Sequence, residues 1–279
     1  MSPALLLSLV MVAAQSEASE ASEASEAERV LHTLADRYHV RIEHESPQFP
    51  VETHYGAIEG APAESGAVEK YATILAREWL LYPVALVKQS RVRRIVLCKD
   101  LAFAGQKRTA VPDFEHDTLY LDVARGAHSE RYVRKVIHHE FFHIIDLQDD
   151  GELYSDRAWT QLNPKGFRYG SGGVNAQDDP TVSLHNDDIP GFLNRYAATG
   201  VEEDKAEIFA HMLVEWDFLQ ARAKTDPYLR SKVARLRAIL EEFCPELDES
   251  YWNKVAASQR PRKGKPTQAR SSPRSSGRR

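Results

Sequence analysis

The chain predicts an α+β fold with a small N-terminal sheet, one long buried helix and a mainly helical C-terminal part. Three observations carry that prediction. Val92-Arg93-Arg94-Ile95-Val96-Leu97-Cys98 and Thr118-Leu119-Tyr120-Leu121-Asp122-Val123 are short runs rich in β-branched and aromatic residues, and they read as strands. From Ser129 to about Gln148 apolar residues crowd nearly every side of a helix, which therefore belongs in the core. A further helical region starts near Val201 and runs, with a break at Asp226-Pro227, to about Phe243.

In chain order, Met1 to Ala14 includes an apolar run from Ala4 to Ala14 that is too short to span a bilayer. It has the length of a signal-peptide core and ends in the small residues Val12-Ala13-Ala14, although no Lys or Arg precedes it. Residues 1–14 are therefore expected to be a signal peptide, and the protein to be secreted or periplasmic. Residues 16–27 are four copies of Ser-Glu-Ala, so 15–28 reads as a low-complexity spacer, either a solvated helix or a flexible link. Glu28–Tyr38 and Val68–Leu81 have helical apolar spacing, the second stopping near Pro83. Val111-Pro112-Asp113 reads as turn between the two strands, and Ser129 is placed to cap the long helix. Asp149 to Pro190 is irregular and glycine-rich, long enough to suggest a lid. Residues 258–279 form a basic tail without core-forming residues, which leaves 29–257 as the folded domain.

At 279 residues, with 42% hydrophobic and 28% charged residues, the chain can bury a full core. Its net charge of −5 hides a split: residues 15–28 carry five glutamates, whereas 258–279 carry eight Lys and Arg. Taking those five negative and eight positive charges away leaves about −8 for the body. There is no overall basic footprint for specific nucleic-acid binding. Cys98 and Cys244 admit both a disulfide and two buried thiols.

The chemistry concentrates at His138-His139-Glu140-Phe141-Phe142-His143. Within it, His139, Glu140 and His143 make H-E-x-x-H. On a helix the two histidines lie one turn apart on one face and can share a Zn²⁺, with Glu140 placed to act as base on a water. His138 lies off that face and reads as a packing residue. A catalytic zinc needs a third protein ligand. Asp149 follows His143 by six residues but lacks a chain-turning glycine. Glu203 and Glu207 share one helix face beside Ile208, Phe209, Met212 and Leu213, and one carboxylate could bind while the other orients a ligand imidazole. His211 lies one turn further on. Asp204 points elsewhere and reads as solvated. Trp159, Leu162-Asn163-Pro164 and Phe167 fit either a substrate cleft or an anchor for the long loop.

His139-Glu140-Phe141-Phe142-His143-Ile144-Ile145-Asp146, with Tyr196-Ala197-Ala198-Thr199 and Glu203-Asp204-Lys205-Ala206-Glu207-Ile208-Phe209-Ala210, resembles the gluzincin metallopeptidases. Within that group it is most similar to the catalytic domain of anthrax lethal factor and the Pro-Pro endopeptidases. The resemblance spans about residues 118–220. It implies a zincin-like domain in which the long helix carries the active site and Glu203, seven residues after Tyr196, is the third ligand. Tyr196 would then hydrogen-bond the tetrahedral intermediate, and Asp146 and Glu207 would be acids supporting the ligands. It further implies that the strand Thr118–Val123 pairs with an extended substrate. Phe142 departs from the glycine often found before the second histidine, and the separation of the two ligand segments is long.

The expectation is a zinc-dependent peptidase acting on a peptide or protein substrate, with Glu140 as general base. The alternative is a zinc-binding, non-catalytic interaction protein on the same scaffold. Retention of Glu140 and Tyr196 favours the enzyme, because a structural zinc needs neither.

Overall fold

The computed structural model describes residues 25–170 and 184–259. The expected signal peptide, most of the spacer, residues 171–183 of the expected lid and residues 260–279 of the tail lie outside them.

The fold begins inside the expected spacer. Ser25 accepts from the Glu28 backbone N–H while the Glu28 carboxylate accepts from the Ser25 N–H, a capping box that starts helix α1 at Glu26–Tyr38. The last Ser-Glu-Ala copy is thus a helix start, and the spacer as expected is too long by four residues. Strands β1 (Arg41–Glu43), β2 (Val51–Thr53) and β3 (Gly56–Ala61) follow, then helices α2 (Ser65–Trp79) and α3 (Val84–Gln89). Next come β4 (Arg94–Phe103), β5 (Gln106–Lys107), β6 (Ala110–Asp113) and β7 (Thr118–Asp122). Every strand precedes the long helix α4 (Glu130–Asp150), as a small N-terminal sheet requires.

The sheet runs β2-β3-β4-β7-β6, with β1 and β5 also paired to β4. Strand β4 lies parallel to β7, and alternate residues serve two cores. Ile95, Leu97, Leu119 and Leu121 join the main core with the helices, whereas Val96, Cys98 and Tyr120 join a smaller one with Ile58, Leu101 and Val111.

Two sequence expectations fail here for one reason. Strand β7 pairs with β4 on one side and antiparallel with β6 on the other, so its edges are satisfied and it has none to offer a substrate. The segment read as a turn, Val111-Pro112-Asp113, is part of β6. Proline is tolerated there because β6 ends the sheet order and one side of it carries no ladder.

Helix α4 is started by Ser129, whose side chain accepts from Tyr132 N–H, and ended by Gly151 in the left-handed conformation at φ 83°. After the short α5 (Arg157–Thr160) the described residues up to Gly200 are mainly turns and loop with a 3-10 turn at Ala197–Thr199, and four helices follow: α6 (Val201–Val214), α7 (Trp216–Thr225), α8 (Pro227–Phe243) and α9 (Glu249–Gln259). The chain breaks at Glu215 as well as at Asp226, giving three helices where two were expected. Helix α9 extends two residues into the expected tail. There the Gln259 amide donates to the Met212 and Leu213 carbonyls and accepts from Trp216 N–H, filling bonds left open between α6 and α7.

Every residue of α6 is buried. It is the central helix, packed along α4. Behind the pair, Trp79, Tyr82 and Phe141 cluster with centroids 4.7–5.4 Å apart, and Phe142 meets Phe209 at 5.0 Å. Phe142 therefore fills space between the two helices. Cys98 and Cys244 are free, buried thiols. Among the described residues no helix is long and apolar enough to cross a membrane.

Candidate metal centre

Helix α4 presents His139 and His143 one turn apart, with ring centroids 4.8 Å from each other. Helix α6 brings Glu203 against both. Glu203 Oε2 lies 2.9 Å from His139 Nε2 and 3.6 Å from His143 Nε2. All three residues are buried. Three donor atoms thus converge from two helices whose positions are fixed by the aromatic layer behind them.

The neighbouring groups prepare those donors. Glu207 Oε1 lies 3.2 Å from His139 Nδ1, an ion-pair contact without hydrogen-bond geometry that places negative charge behind the ring. The Asn194 amide in turn donates to Glu207 Oε2 over 2.8 Å, while Asn194 Oδ1 accepts from Ala197 N–H at the turn that carries Tyr196. The Tyr196 hydroxyl donates to Glu203 Oε1 over 2.9 Å. Glu140 sits beside the donors, part-exposed in a cleft of about 730 Å³ that Tyr196, His139 and Glu207 also line.

Burial alone would push the His139 imidazole down, but the carboxylates of Glu203 and Glu207 outweigh it and hold its pKa up. Burial would likewise raise the Glu203 carboxyl, yet the two histidines hold it far below the usual carboxylate range. Glu207 is drawn down to about 2 against its own burial, chiefly by His139. Glu140 moves the other way. Desolvation raises it, offset in part by the histidines, which suits a group that must take up and release a proton. Burial first, and the charges of Glu203 and Glu140 second, keep the Tyr196 phenol firmly protonated.

Two imidazole nitrogens and a carboxylate oxygen in a buried, three-sided arrangement fit a divalent metal of the zinc type with one position left open. Asp146, expected to support a ligand, does not: its carboxylate binds Lys205 Nζ at 3.0 and 3.3 Å. His143 Nδ1 has no hydrogen-bond partner among the described residues. Asp149, an alternative third ligand, is not among the converging groups.

Asp204, expected in solvent, is fully buried. It accepts from Trp159 Nε1 (2.8 Å) and the Tyr169 hydroxyl (2.6 Å) and pairs with Lys232 Nζ (2.7 Å). The reason is that α6 has no solvent face. Trp159 is consequently a loop anchor rather than a cleft wall. Asn194 and the basic residues of the cleft escaped the sequence reading. Asn194 stands two residues before Tyr196, a local signal. Lys107, Arg108, Arg125, Arg131 and Lys135 come from separate segments and carry no shared pattern.

No protein-family model matches the chain, and no curated protein matches it. A solved structure from Bacteroides caccae ATCC 43185, described as a "putative zinc-binding metallo-peptidase", is similar to it with a TM-score of 0.54. The two are 19% identical over 85% of this chain and 94% of that one. What they share is the fold. Fold and donor set together define an α+β protein, similar in fold to that structure, with a His-His-Glu group able to hold a metal ion.

Proposed function

We propose that the protein is a zinc-dependent peptidase of gluzincin type, with His139, His143 and Glu203 as ligands, Glu140 as general base and Tyr196 as a donor to the reacting carbonyl. The observation that carries this reading is the convergence of both Nε2 atoms on Glu203 Oε2, with Glu140 open to the cleft beside them. When bound, zinc supplies a Lewis acid that polarises the scissile carbonyl and acidifies a water. Glu140, with its raised pKa, accepts a proton from that water and delivers it to the leaving amine. The Tyr196 hydroxyl turns from Glu203 towards the oxygen on which negative charge develops. Asp146 and Lys205 form a buried ion pair that holds α4 and α6 together.

The substrate in this reading is an extended peptide lying along β6, the terminal strand, whose first residue Ala110 lines the cleft. The cleft wall also bears Lys107, Arg108 and Arg125, which form no ion pair among the described residues, against the acids Glu140 and Glu207, while Arg131 and Lys135 pair with Glu215. That balance favours peptides with acidic side chains. The similarity to the lethal factor and Pro-Pro endopeptidase group, and export through residues 1–14, belong to the same proposal and rest on sequence alone.

Metal analysis of wild type, Glu140→Gln and Glu203→Ala, paired with cleavage of a peptide library, tests it. Wild type and Glu140→Gln should each hold zinc at the His139 site, with cleavage lost in the second, and Glu203→Ala should lose that zinc. Zinc binding without any cleavage would instead make the chain a metal-binding interaction protein.

A further inference from the structure

The face of α6 that carries Glu203 and Glu207 continues at four-residue intervals through His211 to Glu215 at the helix end. We propose that His211 and Glu215, with His185 from the segment before Asn194, form a second site for a divalent transition metal.

The donor atoms converge as they do at the first site. His185 Nε2 lies 2.8 Å from His211 Nε2 and 3.5 Å from Glu215 Oε2, and His211 Nε2 lies 3.6 Å from the same oxygen. A tetrahedral ion with bonds of ~2.05 Å would set its ligands roughly 3.3 Å apart, the mean of those three edges. His211 is fully buried and the Glu215 side chain is 10% exposed.

Each donor is preset. The Glu207 backbone carbonyl can only accept, so the 2.7 Å contact from His211 Nδ1 puts the proton there and leaves a lone pair on Nε2. His185 is held by its ring stacking on Phe218, with centroids 3.9 Å apart, and by the backbone bridge to Asn194. Glu215 Oε2 is buried yet accepts no hydrogen bond among the described residues. Two nitrogens and an oxygen select zinc, cobalt, nickel or copper over calcium or magnesium.

The charges around Glu215 set the affinity. Arg131 binds Oε1, and Lys135 Nζ stands 3.4 Å from Oε2. Both offset the carboxylate, so this site binds more weakly than the one formed by His139, His143 and Glu203. Occupied, it ties the cleft-lining residues Leu184 and His185 to α6. The opposing possibility is a plain His185–His211 hydrogen bond with Glu215 serving only the two cations.

Cobalt titration of the chelator-treated full chain, followed by ligand-field absorption and stoichiometry, separates these. Wild type should take up two ions per chain in two phases. His185→Ala and Glu215→Gln should each abolish the weaker phase and keep the tighter one, while His139→Ala should do the reverse. Saturation of wild type at one ion, or two ions retained in His185→Ala, overturns the second site. His185 lies in a partly exposed segment, so its variant does not depend on repacking α6. Stoichiometry is read without any cleavage assay, so a failure here is distinguishable from a failure of the peptidase reading.

Discussion

The Tyr196 hydroxyl and the Glu203 carboxylate, seven residues apart in the chain, are joined by a 2.9 Å hydrogen bond. The bond places a phenol against the group proposed as the third ligand, while the other Glu203 oxygen faces the histidines. A tyrosine so placed has two separable effects, on the ligand and on the reaction. Tyr196→Phe should keep its zinc and lower kcat about 100-fold with little change in KM, the loss typical of one oxyanion donor. Metal analysis beside steady-state kinetics checks it. Parallel loss of zinc and activity would reduce the phenol to a support for Glu203.

Glu207 touches no metal in the proposed arrangement, yet its Oε1 faces His139 Nδ1 at 3.2 Å and its Oε2 is held by Asn194. Glu207→Ala frees the ring and removes the group that raises its basicity. Zinc affinity at the His139 site should fall about 10–100-fold, as for other carboxylates behind ligand histidines. Competition with a chromophoric chelator would measure it; an unchanged affinity would show that the helix alone orients the ring.

The cleft charge gives a third expectation. Lys107, Arg108 and Arg125 line it, and none of them forms an ion pair among the described residues. Arg108→Glu should raise KM for a peptide rich in Asp and Glu roughly tenfold while barely affecting a neutral one. Added salt should narrow the gap between those peptides in wild type by screening. Equal kinetics for acidic and neutral peptides would remove the charge preference without touching the hydrolytic chemistry.

The parts of this molecule legible in its sequence are those written by local pattern. Helix α4 could be read from its cap and apolar crowding, and the histidine pair from a spacing that only a helix turns into one face. Of the sheet, only β4 and β7 are legible as apolar, β-branched runs; β1, β2, β3 and β5 are not. What escaped depends on pairing at long range. Strand β6 was hidden by Pro112, because the sequence does not show that the strand ends the sheet order. Asp204 looked like a surface charge because its partner, Lys232, stands in another helix. Glu215 carries no sequence signal of its own, because His185 reaches it from a segment with no regular structure. Asp146 and Glu203 followed from the same resemblance, but the structure puts only Glu203 with the histidines, since Lys205 takes Asp146.

The last prediction concerns what holds α4 in place. Glu78 on α2 is wholly buried. Its carboxylate accepts from Arg134 Nε at 2.7 Å and His138 Nε2 at 3.0 Å, with Arg77 also bound at 2.7 Å. The Tyr82 hydroxyl donates to His138 Nδ1, so the imidazole needs only its Nε2 proton to reach Glu78 and can stay neutral. Burial does lower the His138 pKa. The same burial raises Glu78, but His138 and Arg134 overcome it and bring it from 4.5 down to about 2. A carboxyl depressed on folding stabilises the protein above its unfolded pKa. That contribution is lost as pH falls through the folded value. Glu78→Gln should therefore lower unfolding free energy by about 3 kcal/mol at neutral pH, the scale for breaking a buried ion pair. The deficit should hold down to about pH 4.5 and shrink as pH drops towards 2. Urea denaturation of both proteins at pH 7 and at lower pH tests this. A deficit that stays constant as pH falls would mean that the substitution acts through packing, and that Glu78 is not the charge anchoring the helix of His139 and His143.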